Sequence, residues 1–289
     1  MKKQKDVKKK IVISSKSFNE DYEILKEKGY EIDMNYGTSY DEEKMIKIMD
    51  PDVVGIIAGT EPITMNVMEC APNLKVISRY GIGTDNIDLK YAKERGIKIF
   101  TTDAHVNAVA EHTLMFMLAH LKNIVDINKT KNNMLEGKIV GIIGYGKVGQ
   151  RVHKLVSAFG AKVATYDVFI AEYNHSVSLE KLLKNSDIIT LHLPHTPETT
   201  NMIDYEQFDL IKEGTIFINT SRARIVNESA LLDFVKNPYN KAGLDVCLHP
   251  ELFEDKRNVL ITYHEASYTH ETRKQMAEDA INNLLEGLK

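Results

Sequence analysis

Gly144, Gly146 and Gly149 stand in G-x-G-x-x-G order within Gly144-Tyr145-Gly146-Lys147-Val148-Gly149. Such spacing suits phosphate chemistry. The first glycine permits a tight turn, the second lets the backbone approach a pyrophosphate, and the third lets a helix pack closely on a strand. Lys147 and Val148 would open that helix, whose free N–H groups and positive dipole end meet an anion. The spacing alone is a weak signal, and a glycine turn without a ligand is the alternative. Its surroundings decide. An apolar run, Ile139-Val140-Gly141-Ile142-Ile143, precedes it, and Val148, Val152, Leu155, Val156 and Phe159 follow at helical spacing. A second apolar run, Lys162 to Tyr166, ends at Asp167, eighteen residues past Gly149. Strand, glycine turn, helix, strand and acid form a dinucleotide-binding fingerprint. Asp167 is expected to accept hydrogen bonds from the adenosine ribose hydroxyls, which favours NAD over NADP. Val168 and Phe169 follow it, so a 2′-phosphate would meet a carboxylate with no adjoining arginine.

The elements that must position these residues alternate along 289 residues, a length that favours about two domains. Hydrophobic residues make up 43% and charged residues 27%, an ordinary globular balance. The net charge of −4 gives no general reason to expect a nucleic acid partner. Met1 to Lys10 carries six lysines, read as a solvated tail. No apolar run is long enough to span a membrane, and no signal peptide is visible, so a cytoplasmic location is expected. Cys70 and Cys247 make no disulfide framework and are expected as buried small hydrophobes.

Strands are expected at 11–13, 31–33, 53–57, 75–77, 97–100, 139–143, 162–166, 188–191, 215–218, 243–244 and 259–261, and helices near 19–28, 41–49 and 86–95. The alternation predicts an α/β protein of two Rossmann-like or flavodoxin-like, doubly wound parallel-sheet domains. A long helix from about Asn107 to Ile124 is apolar nearly all round and should be buried on most sides. The terminal helix, His270 to Leu288, has no further strand beside it in sequence and is assigned back to the first unit. The division is therefore 1–105 with 268–289, and 106–267.

From about Val53 to Leu288 the chain resembles the D-isomer-specific 2-hydroxyacid dehydrogenases, the family of D-3-phosphoglycerate, D-lactate and hydroxypyruvate/glyoxylate enzymes. The likeness rests on Arg79-Tyr80-Gly81-Ile82-Gly83-Thr84-Asp85-Asn86-Ile87-Asp88, Asn107-Ala108-Val109-Ala110-Glu111-His112, the glycine fingerprint, Leu191 to Thr199, Asn219-Thr220-Ser221-Arg222, Gly243-Leu244-Asp245-Val246 and Thr262-Tyr263-His264. The resemblance implies an NAD-dependent oxidoreductase interconverting a small D-2-hydroxy acid and its 2-keto acid, bound in a cleft between the domains. It implies that Arg222 grips the substrate carboxylate and polarises the carbonyl, as a planar guanidinium beyond a strand end can. It makes His264 the acid/base, a role imidazole suits near neutral pH. Ile82 and Gly83 would present backbone N–H groups to the substrate carboxylate. Pro194 and Thr199 would flank the adenosine and pyrophosphate, while Asp245 and the Thr220 backbone would hold the nicotinamide. A homodimer built on the long helix is implied. No metal is, and His192, His195 and His249 receive no catalytic role.

Several positions depart from the family pattern. Ala223 replaces a glycine and Arg224 a small or apolar residue, which would crowd or recharge the mouth of the site. Tyr263 replaces a proline. Pro250 stands where a glutamate supports the histidine; Glu251 is adjacent and serves if the loop shifts by one residue. Ala58-Gly59-Thr60 stands where phosphoglycerate enzymes often carry a phosphate-binding arginine. These departures keep a second reading open, an NAD(H)-binding regulatory or scaffold protein with little turnover.

Overall fold

The structure, a computed structural model, describes residues 9–124, 132–169 and 175–289. Most of the lysine-rich start and of the arm after the long helix lies outside the described residues. Lys10, read as part of a solvated tail, instead opens the first strand, where its ammonium meets Asp33 at 3.0 Å and Asp50 at 3.1 Å.

The chain forms two compact units, one comprising the residues up to His105 together with Thr269–Lys289, the other Val106–Tyr268. In the first, β1 (Lys10–Ile13), α1 (Glu23–Glu27), β2 (Glu31–Met34), α2 (Glu42–Ile48), β3 (Val53–Ala58), α3 (Met65–Glu69), β4 (Val76–Arg79), α4 (Leu89–Glu94) and β5 (Lys98–Thr101) follow in turn. The second holds α5 (Val106–Leu121), β6 (Ile139–Ile143), α6 (Lys147–Ala158), β7 (Lys162–Tyr166), α7 (Leu179–Asn185), β8 (Ile188–Leu191), α8 (Tyr205–Asp209), β9 (Ile216–Asn219), α9 (Glu228–Phe234), β10 (Lys241–Leu244) and β11 (Val259–Ile261). The chain then returns to the first unit through α10 (His270–Gly287).

Both sheets are parallel throughout. The first has the order β2-β1-β3-β4-β5, the second β11-β10-β9-β8-β6-β7. In each, the strand order reverses beside the first strand of the unit, the feature of a doubly wound sheet that opens a crevice at the carboxyl edge. Helices cover both faces, so the inner strands β3, β4, β8 and β9 are buried along their whole length, while the edge strands β2, β5 and β7 are not. Within β9 the alternation survives as a choice of core. Phe217 packs among Leu182, Phe208, Leu231 and Phe234, while Ile216 and Ile218 pack among Phe116, Met117, Val152 and Val156 of α5 and α6.

The long helix ends at Leu121 rather than Ile124, and its buried face includes Ala108, Val109, Thr113, Phe116, Met117 and His120. Met115 remains 43% exposed. The helix lies very close to β10: a Cβ on Gly243 would stand 2.7 Å from Phe116 Cγ. The two cysteines are half-buried rather than buried. Among the described residues no helix is long and apolar enough to cross a membrane.

Candidate functional site

Because β6 to β11 run parallel, whatever follows each strand lies along one edge of the sheet. Every residue of the second unit singled out for ligand chemistry occupies that edge. The glycine turn follows β6, Asp167 follows β7, Pro194 and Thr199 follow β8, Thr220 and Arg222 follow β9, Asp245 follows β10, and His264 follows β11. Sequence neighbours could place each at a strand end; the strand order gathers them.

The glycine turn has the geometry its spacing predicts. Gly144 has φ +96°, and a Cβ there would stand 2.5 Å from the His192 carbonyl oxygen. A side chain is thus excluded by both conformation and space. At Gly146 a Cβ would meet nothing within 4 Å, which leaves open space over the turn. Gly146 is also the N-cap of α6 and supplies no side-chain cap to its first turn. An uncapped helix start beside open space fits a pyrophosphate. Asp167 Oδ2 accepts the Tyr145 N–H at 2.7 Å, and its Oδ1 accepts the Phe169 N–H at 2.8 Å. The acid therefore braces the glycine turn from the end of β7. Tyr145 in turn places its hydroxyl 2.6 Å from His153 Nδ1.

Beyond β8, Thr199 is buried, donates its hydroxyl to the Pro194 carbonyl at 2.7 Å and accepts the Thr196 N–H at 2.8 Å. It folds the loop on itself, leaving Pro194 exposed. Beyond β9, Asn219 shapes the turn that carries Arg222. Its Oδ1 accepts the Ser221 N–H at 3.0 Å and the Ser221 hydroxyl at 2.9 Å, and its Nδ2 donates to the Arg222 carbonyl at 3.0 Å. Arg222 is half-buried, with Nη1 donating to the Ser221 carbonyl at 2.8 Å. Arg224, expected to recharge the mouth, is exposed, and its carbonyl accepts the Asn201 N–H at 2.9 Å.

The end of β11 is organised around Asp245. Its side chain is 0% exposed, and the segment from Thr262 to Ala266 folds about it. Oδ1 accepts the Thr262 hydroxyl at 2.6 Å and the Glu265 N–H at 2.8 Å, while Oδ2 accepts the Ala266 N–H at 3.2 Å. His264 lies between, its N–H donating to the carbonyls of Asp245 at 2.7 Å and Thr262 at 2.8 Å. The wrap forces His264 to φ +60°, a left-handed conformation rare for a residue with a Cβ. Strain of this kind gathers where function over-determines the backbone. Asp245, expected to hold the nicotinamide, thus has a structural task that the sequence did not reveal.

Glu251 does not take over support of His264 through its observed hydrogen bond. Its Oε1 meets His249 Nδ1 at 3.1 Å, and both side chains are largely exposed. The preceding backbone is held elsewhere, since Glu228 accepts the N–H groups of Leu248 and His249. Cys247 in the same loop is an inert thiol, pushed up to about 11 by burial and by the carboxylates of Glu228 and Glu251. Burial also pushes His192 down to about 3, so it is neutral near pH 7.

In the first unit, the turn after β4 is set by Gly81. Its φ is +136°, and a Cβ there would stand 2.8 Å from Arg79 Nη1. The Gly81 N–H donates to Thr102 Oγ1 at 2.8 Å. Ile82 is exposed and Gly83 half-buried. The loop after β3 carries a buried carboxylate. Glu61 Oε1 accepts the Gly59 N–H at 2.6 Å and the Ser14 hydroxyl, and Asn86 Nδ2 ties the loop through the carbonyls of Gly59 and Glu61. Among the described residues no group of three or more His, Cys, Asp or Glu could hold a metal ion.

Residues 102–266 match the family described as D-isomer specific 2-hydroxyacid dehydrogenase, NAD binding domain. The chain belongs to the D-isomer-specific 2-hydroxyacid dehydrogenase family. Hydroxypyruvate reductase of Thermotoga maritima is 33% identical over 86% of this chain and 89% of its own. D-3-phosphoglycerate dehydrogenase of Methanocaldococcus jannaschii is 36% identical over 92% of this chain, but over only 55% of its own length, so the chain spans about half of that relative. The NAD+-bound 3-phosphoglycerate dehydrogenase structure of Entamoeba histolytica superposes with a TM-score of 0.86, at 26% identity over 97% of this chain and 95% of that one. The second unit is therefore the family's NAD-binding domain, and the glycine turn with Asp167 is the part of it whose geometry fits the dinucleotide.

Several residues that shape the site carried no role in the sequence reading. Asn219, Glu228 and Thr262 act through hydrogen bonds local to strand ends, and a buried or capping polar residue there is the signal that could have found them. His112 lay inside a recognised motif but without a partner; its contact to Thr262 spans 150 residues.

Proposed function

We propose that this protein is an NAD-dependent oxidoreductase that interconverts a small D-2-hydroxy acid and its 2-keto acid. One observation carries the reading: the turn bearing Arg222 and the strained turn bearing His264 stand on the same sheet edge as the glycine turn, each held by buried polar residues. The cofactor, when bound through Gly144, Gly146, Lys147, Val148, Gly149 and Asp167, supplies or accepts the hydride at the nicotinamide. Pro194 and the Thr220 backbone border it, while the buried Thr199 and Asp245 shape the loops around it. Arg222 binds the substrate carboxylate through paired N–H donors and draws electron density from the adjacent carbonyl. In the first unit, the family resemblance gives Ile82 and Gly83 the part of offering backbone N–H groups to a substrate carboxylate. His264 delivers a proton to the carbonyl oxygen on reduction and removes it from the hydroxyl on oxidation.

The loop after β3 argues for substrates without a phosphate. It presents the buried Glu61 carboxylate beside Gly59, with no arginine between Ala58 and Glu61. Hydroxypyruvate, glyoxylate and pyruvate are therefore favoured over a phosphorylated acid. A homodimer using the long helix, where Met115 is exposed, and a cytoplasmic location complete the proposal. The second reading, a weakly active NAD(H)-binding regulator, draws its support from Pro250 and from the pairing of Glu251 with His249. Oxidation of NADH measured with a panel of 2-keto acids separates the two. Turnover supports the enzyme; tight NADH binding without turnover on any acid of the panel overturns it.

A further inference from the structure

Helix α5 carries two polar side chains that reach the loops of the candidate site. Thr113 is fully buried and donates its hydroxyl to the Val109 carbonyl at 2.8 Å. Its one proton is then committed, so the Thr220 hydroxyl, 3.0 Å away, donates to it. Thr220 lies two residues before Arg222. One position earlier on the helix, His112 Nε2 stands 2.8 Å from Thr262 Oγ1. The same counting applies. Thr262 gives its proton to Asp245 Oδ1 at 2.6 Å, so it must accept from His112, which therefore carries a proton on Nε2. The relay runs from His112 to Thr262 to Asp245, and Asp245 holds the Glu265 and Ala266 N–H groups that directly follow His264.

The chemistry of the group fits a fixed donor. The His112 ring packs edge-on against Phe116 at 5.0 Å between centroids. Its proton affinity is lowered by burial, against the opposing pull of Asp245 and Glu265. Nε2 is 3.8 Å from Asp245 Oδ1, too long for a direct hydrogen bond. The helix itself cannot drift from the strand edge, because Phe116 presses on Gly243 with no room for a Cβ. A ring held on a rigid helix thereby locates the segment that carries the proposed acid/base.

We propose that His112 is a positioning residue for His264, acting through Thr262 and Asp245 as a neutral Nε2–H donor from α5. The proposal rests on the reading of His264 as acid/base. Two variants of the full chain test it. His112→Leu keeps apolar volume against Phe116 and removes the donor; His112→Gln keeps a side-chain N–H. For keto-acid reduction with saturating NADH, His112→Leu is expected to lower kcat about tenfold or more, with the Kd for NADH and the thermal midpoint close to wild type. His112→Gln should recover most of the rate. Equal rates in His112→Leu and wild type, or equal losses in the two variants, would overturn the proposal. A second readout stands apart from turnover, so that an inactive wild type, which would sink the functional reading, still leaves the relay testable. Hydrogen exchange at the Glu265 and Ala266 amides should quicken several-fold in His112→Leu and stay near wild type in His112→Gln. Unchanged exchange in His112→Leu would show that the loop does not depend on α5.

Discussion

The left-handed backbone at His264 allows a stability experiment that separates the residue's conformation from its chemistry. His264 has φ +60° and is held there by its own N–H, shared between the Asp245 and Thr262 carbonyls. An L-residue in this region costs about 1–2 kcal/mol relative to its ordinary conformations. Glycine escapes that cost but loses more chain entropy on folding, which takes back about 0.5–1 kcal/mol. His264→Gly should therefore be more stable than His264→Ala by about 0.5–1 kcal/mol. Both variants lack the imidazole and whatever it touches, so the comparison isolates the backbone. The chain contains no tryptophan, which makes urea unfolding followed by far-ultraviolet circular dichroism the suitable assay. Both variants should also lose keto-acid turnover by roughly 10²–10⁴, the usual worth of a general acid/base. A glycine variant no more stable than the alanine variant would refute the strain argument. Full turnover in either variant would refute the proton-transfer role.

Other consequences follow from the same geometry. Arg222→Ala should abolish keto-acid binding and turnover while leaving NADH affinity within a few-fold of wild type, measured by fluorescence titration; lost NADH binding would mean that the guanidinium serves the cofactor. NADH should bind far more tightly than NADPH, and Asp167→Asn should narrow the gap, since the carboxylate that repels a 2′-phosphate is removed while one oxygen remains for the Tyr145 N–H, at the loss of the acceptor for the Phe169 N–H; equal affinities in the wild type would place Asp167 away from the ribose. Acid should destabilise the fold through His120, whose proton affinity burial lowers to about 4 while its Nε2 meets the Ala242 carbonyl. Above about pH 6.5 the ring is neutral both folded and unfolded and contributes no pH dependence. Below that value only the unfolded chain takes the proton, so stability should fall by about 3 kcal/mol as pH drops to about 4. His120→Gln should flatten that slope in urea unfolding across the same range, and an unchanged slope would count against a neutral buried ring.

Much of the second unit was legible because its signals are local. The runs 139–143 and 188–191 are buried almost throughout, as strands covered on both faces must be, while the edge strand 162–166 starts at an exposed Lys162. The glycine spacing encodes backbone conformation directly, and Gly144 at φ +96° is its realisation. Arg222 and His264 could be placed beyond strand ends from their neighbours alone. The short helices α3, α7, α8 and α9 escaped the reading, since five to seven residues give too few turns for an apolar period to stand out. Their caps were local signals that a closer reading could use, such as Asn227 accepting the Ser229 N–H at 3.0 Å before α9.

The alternation of buried strands and helices, the dinucleotide turn and the residue types at the strand ends could be read along the chain, because each depends on a neighbourhood of a few residues. The tertiary structure alone decided what those residues lean on. Asp245 became the hub of a segment 17 to 21 residues away, Glu251 went to His249 instead of His264, and His112 met Thr262 across 150 residues. A buried carboxylate or imidazole must find hydrogen-bond partners wherever packing brings them, and that choice is made by the whole fold at once, not by the spacing of residues along the chain.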